Sequence, residues 1–350
     1  MTPDFLTILL CFFVSFLLTY ININLVHKNL ARFIKLPTGP QTIHKGNIPR
    51  LGGISIILSF IIMSTTYINE DQNLFFLYFL ISLPVFIFGI IEDFTQSISP
   101  KIRLIGSILT AVMFVLVFEK LITKIGIWPI DQLLKYNSIS IFITLLSITY
   151  LTQAFNIIDG LNGLSLMTAI ISLLSISIIF YEFGDFEIGN FSLYLICILS
   201  GVLVFNFPSG RIFIGDSGAY IVGLFVAALS ITLADKNISP FVIAQILIFP
   251  AYELLRSTIR RMIKNKASVL KPDKMHLHSI LHTFNTKKFS LSDITANILS
   301  SSQLIFFQLI NFFYLVSFYN NEKMVVLGIV IFILTYEIVY ITIITKLKKF

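Results

Sequence analysis

Charge is what this sequence has least of. Asp, Glu, Lys and Arg make up 12% of its 350 residues, about half the share of a soluble domain. With 56% hydrophobic residues and a mean hydropathy of +0.89, a water-soluble core is excluded. Cysteine is nearly missing. Cys11 and Cys197 both lie in apolar stretches, which rules out a disulfide framework or thiolate metal site and leaves them as small core residues. No repeat of ~20–50 residues, low-complexity tail or linker divides the chain. The longest polar stretch, about 257–297, is too short for a separate domain. Residues 1–350 are therefore expected to form a single integral membrane domain. The N-terminal apolar run lacks a basic n-region and is too long for a cleavable signal.

Apolar sequence of membrane length is abundant. Eleven stretches can be marked off, at 5–26, 51–69, 74–91, 102–118, 138–155, 164–181, 191–207, 218–234, 238–256, 298–318 and 324–345. Each is near the ~17–25 residues that cross a ~30 Å hydrocarbon core as a helix. The expected fold is all-α and polytopic, with about 10–11 transmembrane helices. The stretches 191–207 and 238–256 are the ones expected to be irregular. The gaps between spans alternate in character. Odd-numbered gaps hold His44–Arg50, Glu92-Asp93, Asn156–Asn162, Asn206–Asp216 and Arg256–His282; even-numbered gaps are short and carry no such clusters. Each crossing switches sides, so all the odd gaps face one compartment. Acids, histidines, amides and glycines gathered on one face point to chemistry in a cleft there.

The cations fix the orientation. Of the 25 Lys and Arg residues, 20 fall on the motif side and only Lys120, Lys124, Lys135, Lys236 and Lys323 on the other. The positive-inside rule makes the motif face cytoplasmic. Glu70, Asp71, Glu119, Asp131, Glu182, Asp185, Glu187, Asp235 and Glu322 lie opposite. The net charge of +7 is thus largely a topology bias and no sign of nucleic-acid binding. It also suits anionic substrates and lipid headgroups.

The clusters differ in chemistry. Glu92-Asp93 ends the third span, and adjacent acids at a membrane edge call for a cation or a proton-transfer role; an acidic helix cap facing water reads the same way. Hard divalent ions such as Mg²⁺ take carboxylates and leave positions for phosphate. In Phe213-Ile-Gly215-Asp216-Ser217-Gly218, the glycines permit close backbone approach, Asp216 offers a carboxylate, and Ser217 is a candidate cap for the next helix. Asn156, Asp159 and Asn162 recur every three residues in a turn free of Lys and Arg, suiting a base, ribose or sugar. His44-Lys45-Gly46-Asn47-Ile48-Pro49-Arg50-Leu51-Gly52-Gly53 joins phosphate-pairing cations to a glycine pair. His276 and His278, in Pro272-Asp273-Lys274-Met275-His276-Leu277-His278, suit phosphate donation, proton transfer or metal ligation. With no thiolate nearby, zinc is set aside. Together the clusters fit phosphoryl transfer from a soluble nucleotide donor to a lipid acceptor.

The ordered strings PRLGG (49–53), GIIED (89–93), NIIDGLNGL (156–164), FIGDSG (213–218) and PDKMHLH (272–278) resemble those of the polyprenyl-phosphate N-acetylhexosamine-1-phosphate transferases, glycosyltransferase family 4, whose superfamily includes the phospho-MurNAc-pentapeptide translocase. The resemblance covers about residues 35–285. It implies a multi-helix fold in the bacterial cytoplasmic membrane with a cytoplasmic active site. It also implies Mg²⁺ or Mn²⁺, a UDP-N-acetyl-amino sugar donor and undecaprenyl (polyprenyl) phosphate as acceptor. The products are polyprenyl-diphosphate-sugar and UMP, the first step of a cell-surface glycan. A homodimer is compatible with it.

By motif, Asp216 is similar to the metal ligand. Glu92 and Asp93 occupy the paired-aspartate position, tied to metal or lipid phosphate. Lys45, Asn156, Asp159, Asn162, Asn206 and Phe213 resemble nucleotide-side residues, with Phe213 near the uracil. His276 and His278 resemble the start of an HxHH motif. Glu92 stands where Asp is usual, Ser279 replaces the last His, and Glu253 stands where many relatives have Asp. PRLGG resembles the amino-sugar branch more than the peptidoglycan translocase. The expected mechanism is direct attack by the lipid phosphate, whose second pKa near ~6 leaves it largely dianionic, with Asp93 as base or nucleophile the alternative. Competing readings are a transporter or flippase, which would place acids near mid-membrane where Glu337 stands alone, and an inactive scaffold of the same fold. A CDP-alcohol phosphotransferase needs a continuation that Asp159-Gly160 lacks.

Overall fold

A computed structural model describes residues 4–25, 48–67, 73–236, 238–265 and 275–349. Among them it is all-helical. Nine helices among the described residues are long and apolar enough to cross a membrane: α1 (Phe5–Leu25), α3 (Leu74–Thr95), α4 (Pro100–Phe118), α6 (Asn137–Ile158), α7 (Leu164–Glu182), α8 (Phe186–Asn206), α9 (Gly215–Ala234), α13 (Asp293–Phe318) and α14 (Glu322–Leu347). The shorter apolar helix α2 (Gly52–Thr66) and the bent pair α10 (Pro240–Ile246) and α11 (Ile248–Asn265) occupy the other two expected spans. Two short helices lie between: α5 (Trp128–Leu133) and α12 (Leu277–Phe289).

Local chemistry sets many boundaries. Asn73, Ser99, Asp185, Ser292 and Asn321 each accept a backbone N–H with their side chain at the start of a helix, satisfying a donor the helix cannot satisfy itself. The Asp185 cap starts α8 earlier than hydropathy alone suggests, and α8 is a regular helix. The irregularity expected there is found only in the ninth span, where α10 and α11 meet at 79°. Pro250 explains it. Inside a continuous helix its ring would clash with the Ile246 carbonyl; with the break at Leu247 it falls in the first turn of α11, where an N–H is not needed. The carbonyls freed at the break are taken up by side chains: Ser172 donates to Ile246 O at 3.3 Å and Asn311 to Gln245 O at 3.2 Å. Backbone groups within a membrane must be satisfied internally in this way.

Helix α9 is the central post, buried along nearly its whole length and packed against α2, α3, α6 and α7. Small residues let the other helices close in. A Cβ on Gly53 would lie 2.4 Å from Ser217 Oγ, and one on Gly89 2.5 Å from Ser217 Cα. The PRLGG and GIIED glycines therefore bring α2 and α3 against the first turn of α9. Backbone bonds from Gly52 N–H to Phe213 O and from Gly53 N–H to Ile214 O, both 3.0 Å, and from Phe213 N–H to Pro49 O at 2.8 Å join the same segments. At the opposite end of the bundle, Lys236 pairs with Asp185 at 2.7 Å and Lys120 with Asp235.

Candidate active site

The site is built around the start of α9. Gly215 has φ +71°, and a Cβ there would lie 2.5 Å from Asp93 Oδ2; only glycine permits both. Asp93, 2% exposed, accepts the Asp216 N–H on Oδ1 at 2.8 Å, and on Oδ2 both the Ser217 N–H at 3.0 Å and the Ser217 hydroxyl at 2.6 Å. It is the cap of α9, supplied by another helix, and its charge faces the positive end of the α9 dipole. Ser217, expected as the cap, instead sits in the first turn and donates to Asp93.

With its N–H held by Asp93, the Asp216 side chain reaches the opening, where its carboxylate pairs with the Arg103 guanidinium of α4. The same Arg103 nitrogen lies 3.9 Å from Glu92 Oε1, and the other Glu92 oxygen accepts the Ile98 N–H at 2.8 Å. Arg50 lies within electrostatic reach of Glu92 and Asp159. Burial pushes the half-buried Asp159 carboxyl well above the ordinary carboxylate range. Arg50 draws it back, while Asp216 and Asp93 push it further.

The amides divide into two groups. Asn156, half-buried, donates to the Tyr220 hydroxyl at 3.1 Å. Asn206 and Asn162, both 4% exposed, are occupied by backbone. Asn206 accepts the Gly163 N–H at 2.6 Å and donates to Ile212 O at 2.7 Å, tying the start of α7 to the loop before α9. Asn162 donates to Pro208 O at 3.3 Å, while its backbone bonds Asn297 and Ser301 of α13. Expected on the nucleotide side, Asn206 here holds the loops, and Asn162 does so with its NH₂ alone, its Oδ1 being buried without a partner. Phe213 is half-buried in the same loop. Lys45 lies outside the described residues.

The histidines reach the site from α12. His276 and His278 are 3% and 4% exposed, with rings stacked at 5.4 Å and 6°. His276 Nδ1 lies 3.0 Å from Glu253 Oε1 of α11. His278 lies against the Asn156–Asn162 turn, where a Cβ on Gly160 would come within 2.2 Å of its Nε2. Burial, then the neighbouring His276, lowers the His278 pKa to about 3, with Glu253 opposing. The ring is neutral, and its Nδ1 is buried without a partner.

These residues can be tested against a divalent ion. Mg²⁺ takes one or two carboxylates and completes its shell with water and phosphate oxygens. Asp216 and Glu92 fit, because both direct an oxygen at one cationic position, that of the Arg103 guanidinium. Asp93, expected as a second metal ligand, is 2% exposed and gives three of its lone pairs to donors at the start of α9, so what it does in this structure is set Asp216. Among the described residues no group of three His, Cys, Asp or Glu side chains forms a protein-only metal cage.

The structure thus brings together Glu92, Asp93, Asp216, Arg50, Asp159, Asn156, His276 and His278 at one end of the bundle. Sequence reasoning missed Arg103, counted only as a topology cation, although Ser99-Pro100 marks a helix start that places it in the first turn. Glu253 was noted only as a departure.

A family model described as glycosyl transferase family 4 matches residues 75–234, the segment from α3 to α9. An undecaprenyl-phosphate alpha-N-acetylglucosaminyl 1-phosphate transferase of Thermotoga maritima is 29% identical over 276 residues, 78% of this chain and 79% of that protein. A phospho-N-acetylmuramoyl-pentapeptide-transferase of Oceanobacillus iheyensis is 30% identical over 250 residues, 67% of this chain and 76% of that one. Both matches are longer than the segment 75–234. The chain belongs to glycosyl transferase family 4.

Proposed function

We propose that the protein transfers an N-acetyl-amino-sugar 1-phosphate from a UDP-sugar to undecaprenyl phosphate at the cytoplasmic face of the bacterial inner membrane, releasing UMP. One observation carries this reading: Asp216 and Glu92 share a single cation while Arg50, Asp159 and His278 stand around them. That is a set of groups for a diphosphate at a membrane surface.

An oxygen of the lipid phosphate attacks the β-phosphorus of the UDP-sugar. The bond from that phosphorus to the bridging oxygen breaks, and UMP leaves with the oxygen. Arg50 and Arg103 bind phosphate oxygens and orient the two anions. Asp216 and Glu92 are the residues that would hold Mg²⁺, which supplies Lewis-acid neutralisation of charge on the diphosphate. Asp93 keeps Asp216 in register, and a neutral His278 donates a hydrogen bond towards the nucleotide-side turn. No strong base is needed, because the acceptor phosphate is largely ionised near pH 7. N-acetylglucosamine is the first donor to test, given the PRLGG string and the name of the Thermotoga relative. A transporter reading is less well supported: Glu337, the acid expected deepest in a span, is bound bidentately by Arg256 at 2.6 and 3.1 Å.

The test is UMP release by the purified full chain in Mg²⁺ with a panel of UDP-N-acetyl sugars, with and without undecaprenyl phosphate. Lipid-dependent release is expected. Release that ignores the lipid would identify a nucleotide-sugar hydrolase, and no release with any donor would contradict the proposal.

A further inference from the structure

The buried carboxylate of Glu253 lies beyond the reacting groups, yet three elements converge on it. It is 2% exposed. Oε1 accepts from His276 Nδ1 and from the Leu277 N–H, both at 3.0 Å; Oε2 accepts from the Tyr336 hydroxyl of α14 at 2.5 Å. A buried carboxylate with three donors is fixed in place. The Leu277 bond also puts a negative charge at the start of α12, where the helix dipole favours it.

The opposite edge of His276 settles its proton. Nε2 faces an Arg261 nitrogen at 3.3 Å. A guanidinium only donates, so Nε2 is the acceptor and the proton sits on Nδ1, pointing at Glu253. The parallel ring stack carries this placement to His278, and His278 in turn lies on Gly160.

Helix α14 braces the arrangement. Tyr336 is fully buried, with Tyr252 at 5.0 Å edge-on. Arg256 lies 3.2 Å from the ring centroid of Tyr340, and the Tyr340 hydroxyl donates to Met275 O at 3.0 Å. The residue just before His276 is thus held by α14 as well. This helix lies outside the matched segment 75–234 and outside every motif.

We infer that Glu253, seated by Tyr336, is the positioning residue of the histidine pair: it fixes the tautomer of His276 and, through the ring stack, the seat of His278 on the Gly160 turn. The inference rests on the sugar-phosphate transfer reading for its kinetic consequence, but its structural consequence can be read without turnover.

The experiment compares Glu253→Leu, which offers no acceptor, with Glu253→Asp and Tyr336→Phe in the full chain by two readouts. In protein labelled with ¹⁵N-histidine, five histidines make the imidazole signals assignable by single omission. His276 should be protonated at Nδ1 in the wild type and lose that tautomer in Glu253→Leu, where a buried Nδ1–H would have no partner. In the transfer assay Glu253→Leu should lower kcat about 30-fold or more, with KM for the UDP-sugar within about 3-fold, since a group that acts only in the transition state moves kcat. Glu253→Asp should regain about 10-fold of that loss, and Tyr336→Phe should lose about 3- to 10-fold. Combined with His276→Ala, Glu253→Leu should add less than about 2-fold. An unchanged tautomer, or losses that multiply in the double variant, overturns the inference. A wild type that shows the tautomer and its dependence on Glu253 but transfers no sugar phosphate counts against the transfer reading alone.

Discussion

Arg103, in the first turn of α4, forms an ion pair with Asp216 in the first turn of α9. The same nitrogen lies 3.9 Å from Glu92, so one guanidinium neutralises two carboxylates from different helices. Arg103→Gln leaves those like charges facing each other. It should lower kcat about 100-fold, the scale of one lost charge-stabilising group, and lower the melting temperature by a few degrees. Millimolar Mg²⁺ should restore part of the melting temperature, because a second cation can take the same position. Unchanged melting with or without Mg²⁺ contradicts this role.

Asp93 separates stability from chemistry. As the cap of α9 it satisfies two backbone donors and one hydroxyl. Asp93→Asn, which presents an NH₂ group to part of that donor set, should cost about 1–2 kcal/mol or more and appear as a lower melting temperature together with lost activity. A variant that is inactive but melts like wild type would instead return Asp93 to the role of base or metal ligand.

Much of this arrangement was legible in the sequence, and the reasons for the rest are physical. Hydropathy located the spans because the bilayer sets their length, and parity gathered Glu92, Asp159, Asp216 and His276 on one side because each crossing flips the chain. Residue type shows what a side chain can bond but not which partner it finds. Asn162 and Asn206 read as ligand-binding amides, yet both satisfy backbone groups in tight loops. Arg103 looked like any membrane-flanking cation. Tyr336 and Tyr340 were hidden in an apolar span, since nothing in hydropathy distinguishes a lipid-facing tyrosine from one aimed at a buried carboxylate. Irregularity was expected within 238–256 but not placed at Leu247, and the partners of the freed carbonyls lie in α7 and α13.

Gly160 is required by His278. Gly160→Ala puts a methyl group about 2.2 Å from Nε2, so the ring must move. Transfer should fall about 10-fold or more, while the double variant with His278→Ala should be little worse than His278→Ala alone, because the clash acts only through that ring. Multiplying losses would show that Gly160 matters for another reason.

The pH dependence of stability follows from the His278 environment. Its folded pKa is near 3, against about 6.5 in the unfolded chain. Between those values the unfolded state binds the extra proton, so stability rises with pH across the window and is lost as pH falls from about 6.5 towards 3. Asp159, raised by burial, has the opposite sign: the folded state holds its proton longer, and stability is lost as pH rises through its raised value. Comparing wild type with His278→Gln isolates the histidine. The fall in melting temperature between pH 7 and 4.5 should be smaller in the variant; equal falls contradict a neutral buried His278.

The central claim, that Asp216 at the head of α9 is the pivot of sugar-phosphate transfer, is tested most directly by Asp216→Asn. With labelled UDP-N-acetylglucosamine, undecaprenyl phosphate and Mg²⁺, the variant should insert and remain folded while transfer of label to lipid falls at least about 1,000-fold. Transfer within a few fold of wild type would contradict the account.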